Sequence, residues 1–146
     1  MKWLIAWEPE SAEGIRSKAD LFEWIASYAR EQGLVADAQL VPGLLEERES
    51  IGSTLVSDQL ANPHLQSDTV LHSAVVMLKL AQPISGWEGA EPIERFMVTL
   101  LPAQPALADV AELRQWYRKL ADSRVANVLS CGQCEDVRQL IDMERE

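Results

Sequence analysis

Two long apolar runs in the middle of the chain limit what it can fold into. Residues 70–80 are rich in Val, Leu and Met, and residues 93–101 alternate into a second run closed by Pro102. Both are long enough for buried strands, and a strand buried on both faces has to lie inside a sheet covered by other elements. The connection between them carries Pro83, Gly86, Gly89 and Pro92 and reads as turns.

Helical patterns on either side supply the cover. From Asp20 to Glu31 the positions Leu21, Trp24, Ile25 and Tyr28 recur at helical spacing, with Asp20 as N-cap and Gly33 as the stop. A second helix is predicted from Asp37 to about Glu49, with Leu40, Val41, Leu44 and Leu45 inward and its first turns bent by Pro42 and Gly43. Residues 51–64 are expected to form a short hairpin or strand pair that delivers His64 to a loop after Pro63. Beyond Pro102 a helix runs from about Leu107 to Ala121, its inner face Leu107, Val110, Leu113, Trp116 or Tyr117, and Leu120. Asp122 caps a shorter one holding Val125, Val128 and Leu129, and a last helix starts near Glu135 with Val137, Leu140 and Ile141 inward. The expected fold is α/β, a mixed central β-sheet sandwiched between helices, in a single domain over residues 1–146.

Composition removes several function classes. A formal net charge of -10 argues against nucleic acid, whose phosphates are held by clustered Lys and Arg, and would steer encounters with a basic or mixed-charge protein. Residues 1–7 begin like a signal peptide, but Glu8, Pro9 and Glu10 break the run early, so they read as a first strand. Nowhere is there an apolar stretch of the roughly eighteen residues that a spanning helix needs, so a soluble protein without membrane insertion is expected. The two cysteines, Cys131 and Cys134, lie between predicted helices rather than after an early strand, and only His64 and His72 are on hand as imidazole ligands. They read as incidental thiols, with no metal and no cofactor expected. Of the five tryptophans, Trp87 in the turn-rich connection is the one expected at the surface.

His64 follows a proline in a predicted loop, a common place for chemistry but by itself a weak signal. Its surroundings say more. An Arg48-Glu49 pair ends a helix and runs into Gly52-Ser53-Thr54; a short hairpin leads to Ala61-Asn62-Pro63-His64, with Ser67-Asp68 soon after. Then comes a buried strand ending in Pro83-Ile84 and a second one leaving through Leu100-Leu101-Pro102. In order and spacing, roughly residues 18 to 142 resemble the type-2 enzyme IIA domains of the bacterial phosphoenolpyruvate-dependent sugar phosphotransferase system, the fructose, mannitol and nitrogen-regulatory class.

The resemblance implies that His64 accepts a phosphoryl group from phospho-HPr or a related carrier and passes it to a cysteine on a IIB partner. It also implies a cytoplasmic protein that meets a membrane IIC permease only through IIB. A neutral imidazole, with a reference pKa of about 6.5, is a good nucleophile at cytoplasmic pH. Its phosphoramidate is reactive enough to hand the group on, so one transfer becomes two. The family match sets Arg48 beside the histidine, where a guanidinium can grip two phosphoryl oxygens. Ser53 and Thr54 are the expected hydroxyl or backbone donors to the same oxygens.

Several positions depart from the family pattern, one being Ser57-Asp58-Gln59 in place of the usual Gly pair of the hairpin. Asn62 stands where a small apolar residue is usual, and Leu65, in place of a glycine, is expected to crowd the imidazole and the docking surface. Asp109 occupies the position of a second active-site histidine, where it would accept a hydrogen bond from the His64 ring and fix its tautomer. His72 is expected to pack within the strand that starts near Val70, or at the sheet edge. The alternative reading is a regulatory or degenerate IIA-like protein that keeps the histidine and binds partners according to phosphorylation state. An unrelated small enzyme finds little support: there is no Gly-rich phosphate loop, Gly-x-Ser-x-Gly elbow or metal-ligand cluster.

Overall fold

The computed structural model describes residues 1–87, 89 and 92–144. The chain divides into two compact units, Met1–Gln104 and Pro105–Glu146.

The first unit holds all six strands of one mixed sheet. In chain order it runs β1 (Lys2–Trp7), a 3₁₀ turn, α1 (Lys18–Glu31), a second 3₁₀ turn, α2 (Val41–Ile51), β2 (Leu55–Ser57), β3 (Leu60–Ala61), β4 (His64–Gln66), β5 (Ala74–Ile84) and β6 (Ile93–Leu101). The sheet order is β1-β5-β6-β3-β2, and β4 also lies on β6. β1 is parallel to β5, β5 and β6 are antiparallel, and β3 and β4 run parallel to β6.

β5 and β6 are the two apolar runs, paired through Met77↔Met97 and Leu78↔Phe96. Val76, Leu78, Phe96 and Val98 join one core with Leu21, Phe22 and Ile25 of α1 and Val41 and Leu45 of α2. Each large apolar side chain buried there contributes about 2 kcal/mol. Val75, Met77, Met97 and Thr99, on the opposite face, are buried as well.

α1 starts at Lys18, two residues before Asp20. Ser17 is the N-cap, its hydroxyl accepting the Asp20 N–H, while the Asp20 carboxylate accepts the Arg16 N–H in return. Gly33, at φ 69°, turns the chain out of the helix as expected. The predicted second helix opens as a 3₁₀ turn capped by Asp37 and becomes α-helical only at Val41, so Leu40 is exposed rather than inward.

β5 begins at Ala74, not Val70. Val70 instead forms an isolated bridge with Val35, and the next residues leave the ladder, so His72 is exposed in a bend instead of packed in a strand.

The second unit comprises α3 (Leu107–Lys119), α4 (Ser123–Cys131) and α5 (Cys134–Glu144). Leu113 and Trp116, Val125 and Leu129, and Val137, Leu140 and Ile141 are its buried residues, whereas Leu107, expected inward, is 87% exposed. Asp122 caps α4 as predicted. Between α4 and α5 a Cβ on Gly132 would lie 2.6 Å from the Val128 carbonyl oxygen, so the tight turn needs glycine. Cys131 and Cys134 flank it as reduced cysteines, not joined in a disulfide. The Glu144 carboxylate meets Arg124 at 2.7 Å and Lys119 at 3.3 Å, which holds its carboxyl below the ordinary carboxylate range. Among the described residues, no helix is long and apolar enough to cross a membrane.

Candidate functional site

The last turn of α2 aims Arg48 back across the helix end. Its Nη1 donates to the Gly52 carbonyl oxygen at 2.9 Å, satisfying a carbonyl at the negative end of the helix dipole. Its Nε donates to Nε2 of His64 at 3.0 Å. The guanidinium's other N–H groups remain for further acceptors.

His64 is the first residue of β4 rather than a loop residue, half-buried and in register with Thr99 of β6. Its Nδ1 lies 2.8 Å from the main-chain oxygen of Asn62. A carbonyl only accepts, so Nδ1 carries the proton and the lone pair sits on Nε2, where Arg48 donates. The neutral ring thus presents its one nucleophilic nitrogen to a fixed guanidinium.

Successive residues of a strand point to opposite faces. Leu65 therefore turns away from the imidazole and into the core, 4% exposed and opposite Leu100, and the expected crowding does not arise. Asn62 is buried too: its Oδ1 accepts the Thr99 hydroxyl at 3.0 Å, and its N–H reaches the Thr54 carbonyl at 2.8 Å.

The turn Gly52–Thr54 serves both partners, since Gly52 holds Arg48 and Thr54 holds the segment that carries His64. Ser53 is exposed at its tip, its Oγ accepting the Leu55 N–H at 3.2 Å, which leaves its own O–H to donate elsewhere. Thr54 is buried, and its hydroxyl is committed differently from expectation: it donates to Glu49 and accepts from Trp87 Nε1 at 3.2 Å. The second Glu49 oxygen pairs with Lys18 Nζ at 2.9 Å, and Lys18 in turn sits 4.3 Å from the centre of the Trp87 ring and donates to the Gly86 carbonyl.

Trp87 is therefore not a surface residue. It is 5% exposed, wedged against Phe22 and Phe96 with its N–H satisfied. This ring of Glu49, Thr54, Trp87 and Lys18 escapes sequence reasoning. Its only trace there is a hydroxyl following directly on a glycine and a serine after a helix end.

Asp109 lies in the first turn of α3, in the second unit. His72 is exposed and takes no part. Among the described residues, no three or more His, Cys, Asp or Glu side chains gather as metal ligands do.

Solved structures share the fold. The nitrogen regulatory protein IIA-Ntr from Neisseria meningitidis superposes with a TM-score of 0.70 at 20% identity, over 95% of this chain and 91% of that one. IIA mannitol from Escherichia coli gives 0.62 at 18% identity, over 87% and 90%. The complex of enzyme IIAMtl with phosphorylated enzyme IIBMtl, also from Escherichia coli, gives 0.65 at 17%, over 88% and 90%. No curated protein matches the sequence. The family model for the phosphoenolpyruvate-dependent sugar phosphotransferase system, EIIA 2, matches residues 10–143, nearly the whole chain, and the chain belongs to that family.

Proposed function

We propose that the chain is a phosphocarrier in which Nε2 of His64 accepts a phosphoryl group from an HPr-type phosphohistidine and gives it to a IIB partner. One observation carries this reading: the His64 ring is fixed at both nitrogens, with Nδ1–H on a carbonyl and Nε2 facing Arg48.

The chemistry follows from that arrangement. The Nε2 lone pair forms the new N–P bond as the donor's P–N bond breaks, and the electrons of the broken bond return to the donor ring. The His64 ring, still bearing its Nδ1 proton, becomes a phosphoimidazolium whose positive charge the Asn62 carbonyl supports. Arg48 must leave Nε2 for this to happen. Pivoting about its Gly52 contact, it turns its N–H groups onto two phosphoryl oxygens, and the Ser53 hydroxyl is placed on the same turn to join it. Thr54 acts by holding the turn. Little covalent work falls to the protein, so position and charge carry most of the rate.

Family membership and the likeness to a IIA domain in complex with its IIB support the IIB partner. An HPr-type donor, a cytoplasmic location and contact with a IIC permease through IIB complete the proposal. The second reading is a regulatory relative, favoured by the likeness to a nitrogen regulatory protein. Incubation with phosphoenolpyruvate, enzyme I and HPr should add the mass of one phosphoryl group, lost again in acid. No gain in mass contradicts the carrier reading, and a label that IIB never removes favours the regulator.

A further inference from the structure

The 62–63 peptide, whose oxygen receives the His64 Nδ1 proton, is gripped by a single residue of the neighbouring strand. Thr99 donates its main-chain N–H to the Pro63 carbonyl at 3.0 Å and its hydroxyl to Asn62 Oδ1 at 3.0 Å. It therefore holds the residues on both sides of that peptide, and Pro63 adds a fixed φ of its own. Thr99 is 2% exposed and Asn62 9%, so neither bond is diluted by water.

We infer that Thr99, acting through Asn62, is a positioning residue for phosphotransfer: it orients the Asn62 carbonyl so that the proton stays on Nδ1 and Nε2 remains the nucleophile. This deepens the reading that His64 takes the phosphoryl group. Two devices then set the tautomer from opposite sides of the ring, Arg48 at Nε2 and the Thr99–Asn62 pair at Nδ1. A buried hydroxyl or amide oxygen left without a partner is costly, and here the Thr99 hydroxyl donates to the Asn62 amide oxygen.

The test removes the Arg48 device first. In unphosphorylated protein at a pH near 8.5, where a reference imidazole is neutral, ¹H–¹⁵N correlation reads the His64 tautomer in Arg48→Ala, Arg48→Ala with Thr99→Val, and Arg48→Ala with Thr99→Ser. The inference expects one Nδ1–H tautomer in the first and third and a mixture in the second. A single Nδ1–H tautomer in all three overturns it. With Arg48 intact, Thr99→Val should slow phosphotransfer about tenfold and Thr99→Ser should leave it near the parent rate.

If Thr99→Val does not fold, the pair Asn62→Leu with Thr99→Val removes both members of that hydrogen bond together and carries the same comparison. The tautomer is measured without any donor. Failure of the carrier reading would appear as a protein that has the Nδ1–H tautomer yet accepts no phosphoryl group.

Discussion

Arg48 donates its Nε–H to Nε2 of His64 at 3.0 Å while holding the Gly52 carbonyl at 2.9 Å. The guanidinium is thus anchored at one end and poised on the nucleophile at the other, although the two residues come from different elements.

Arg48→Ala should leave the fold intact, because the side chain lies at an exposed helix end. Loss of a charge-stabilising donor at a transfer site costs about a hundredfold or more in rate. Arg48→Lys should recover only part of this, since an ammonium lacks the planar fork. Rapid-quench measurement of phosphoryl uptake checks it, and an unchanged rate would reduce Arg48 to a helix-end charge.

Lys18→Met and Thr54→Val should each destabilise the first unit by about 2–3 kcal/mol, because the first strands the largely buried Glu49 carboxylate and the second strands a Glu49 oxygen and the Trp87 N–H. Trp87→Phe removes the N–H together with part of the indole packed against Phe22 and Phe96, for a loss of about 3 kcal/mol. Urea unfolding orders the three; equal and negligible effects would mean that the network contributes nothing.

The second unit should show an acid-sensitive clamp. Arg124 and Lys119 lower the Glu144 carboxyl pKa in the folded chain, so the stabilisation is present above the ordinary carboxylate pKa and fades as pH falls through the lowered one. Glu144→Gln should therefore lower the melting temperature near pH 7 and have a smaller effect as the pH falls into the acid range. A gap that widens in acid would contradict the assignment.

Much of this structure is legible in the sequence where the signal is local. The run 93–101 is a strand end to end, Asp122 caps its helix, and Gly33 stops α1, because period, cap and turn chemistry act over a few residues. Apolar content alone could not locate the start of β5, since Val70 spends its apolar side chain on a bridge to Val35. Trp87 was hidden by its neighbours: a connection rich in Gly and Pro reads as surface, yet the indole closes a core between Phe22 and Phe96.

The candidate site divides in the same way. Arg48 and His64 stand out only through the resemblance to the family, since alone the one reads as a helix-end charge and the other as a surface histidine. The contacts that brace the turn and the peptide behind them are not legible in the sequence, because Trp87–Thr54 and Thr99–Asn62 join residues 33 and 37 positions apart. A lone threonine inside the buried run Met97–Leu101 was the one available hint, since a buried hydroxyl needs a partner.

The central claim concerns one atom, and one measurement reaches it. ¹H–¹⁵N correlation of the phosphorylated protein, with His64→Gln and His72→Gln as companions, identifies the nitrogen that bears phosphorus. The account predicts the bond on Nε2 of His64, complete loss of label in His64→Gln and full label in His72→Gln. Phosphorus on Nδ1, on His72, or on no histidine would contradict it.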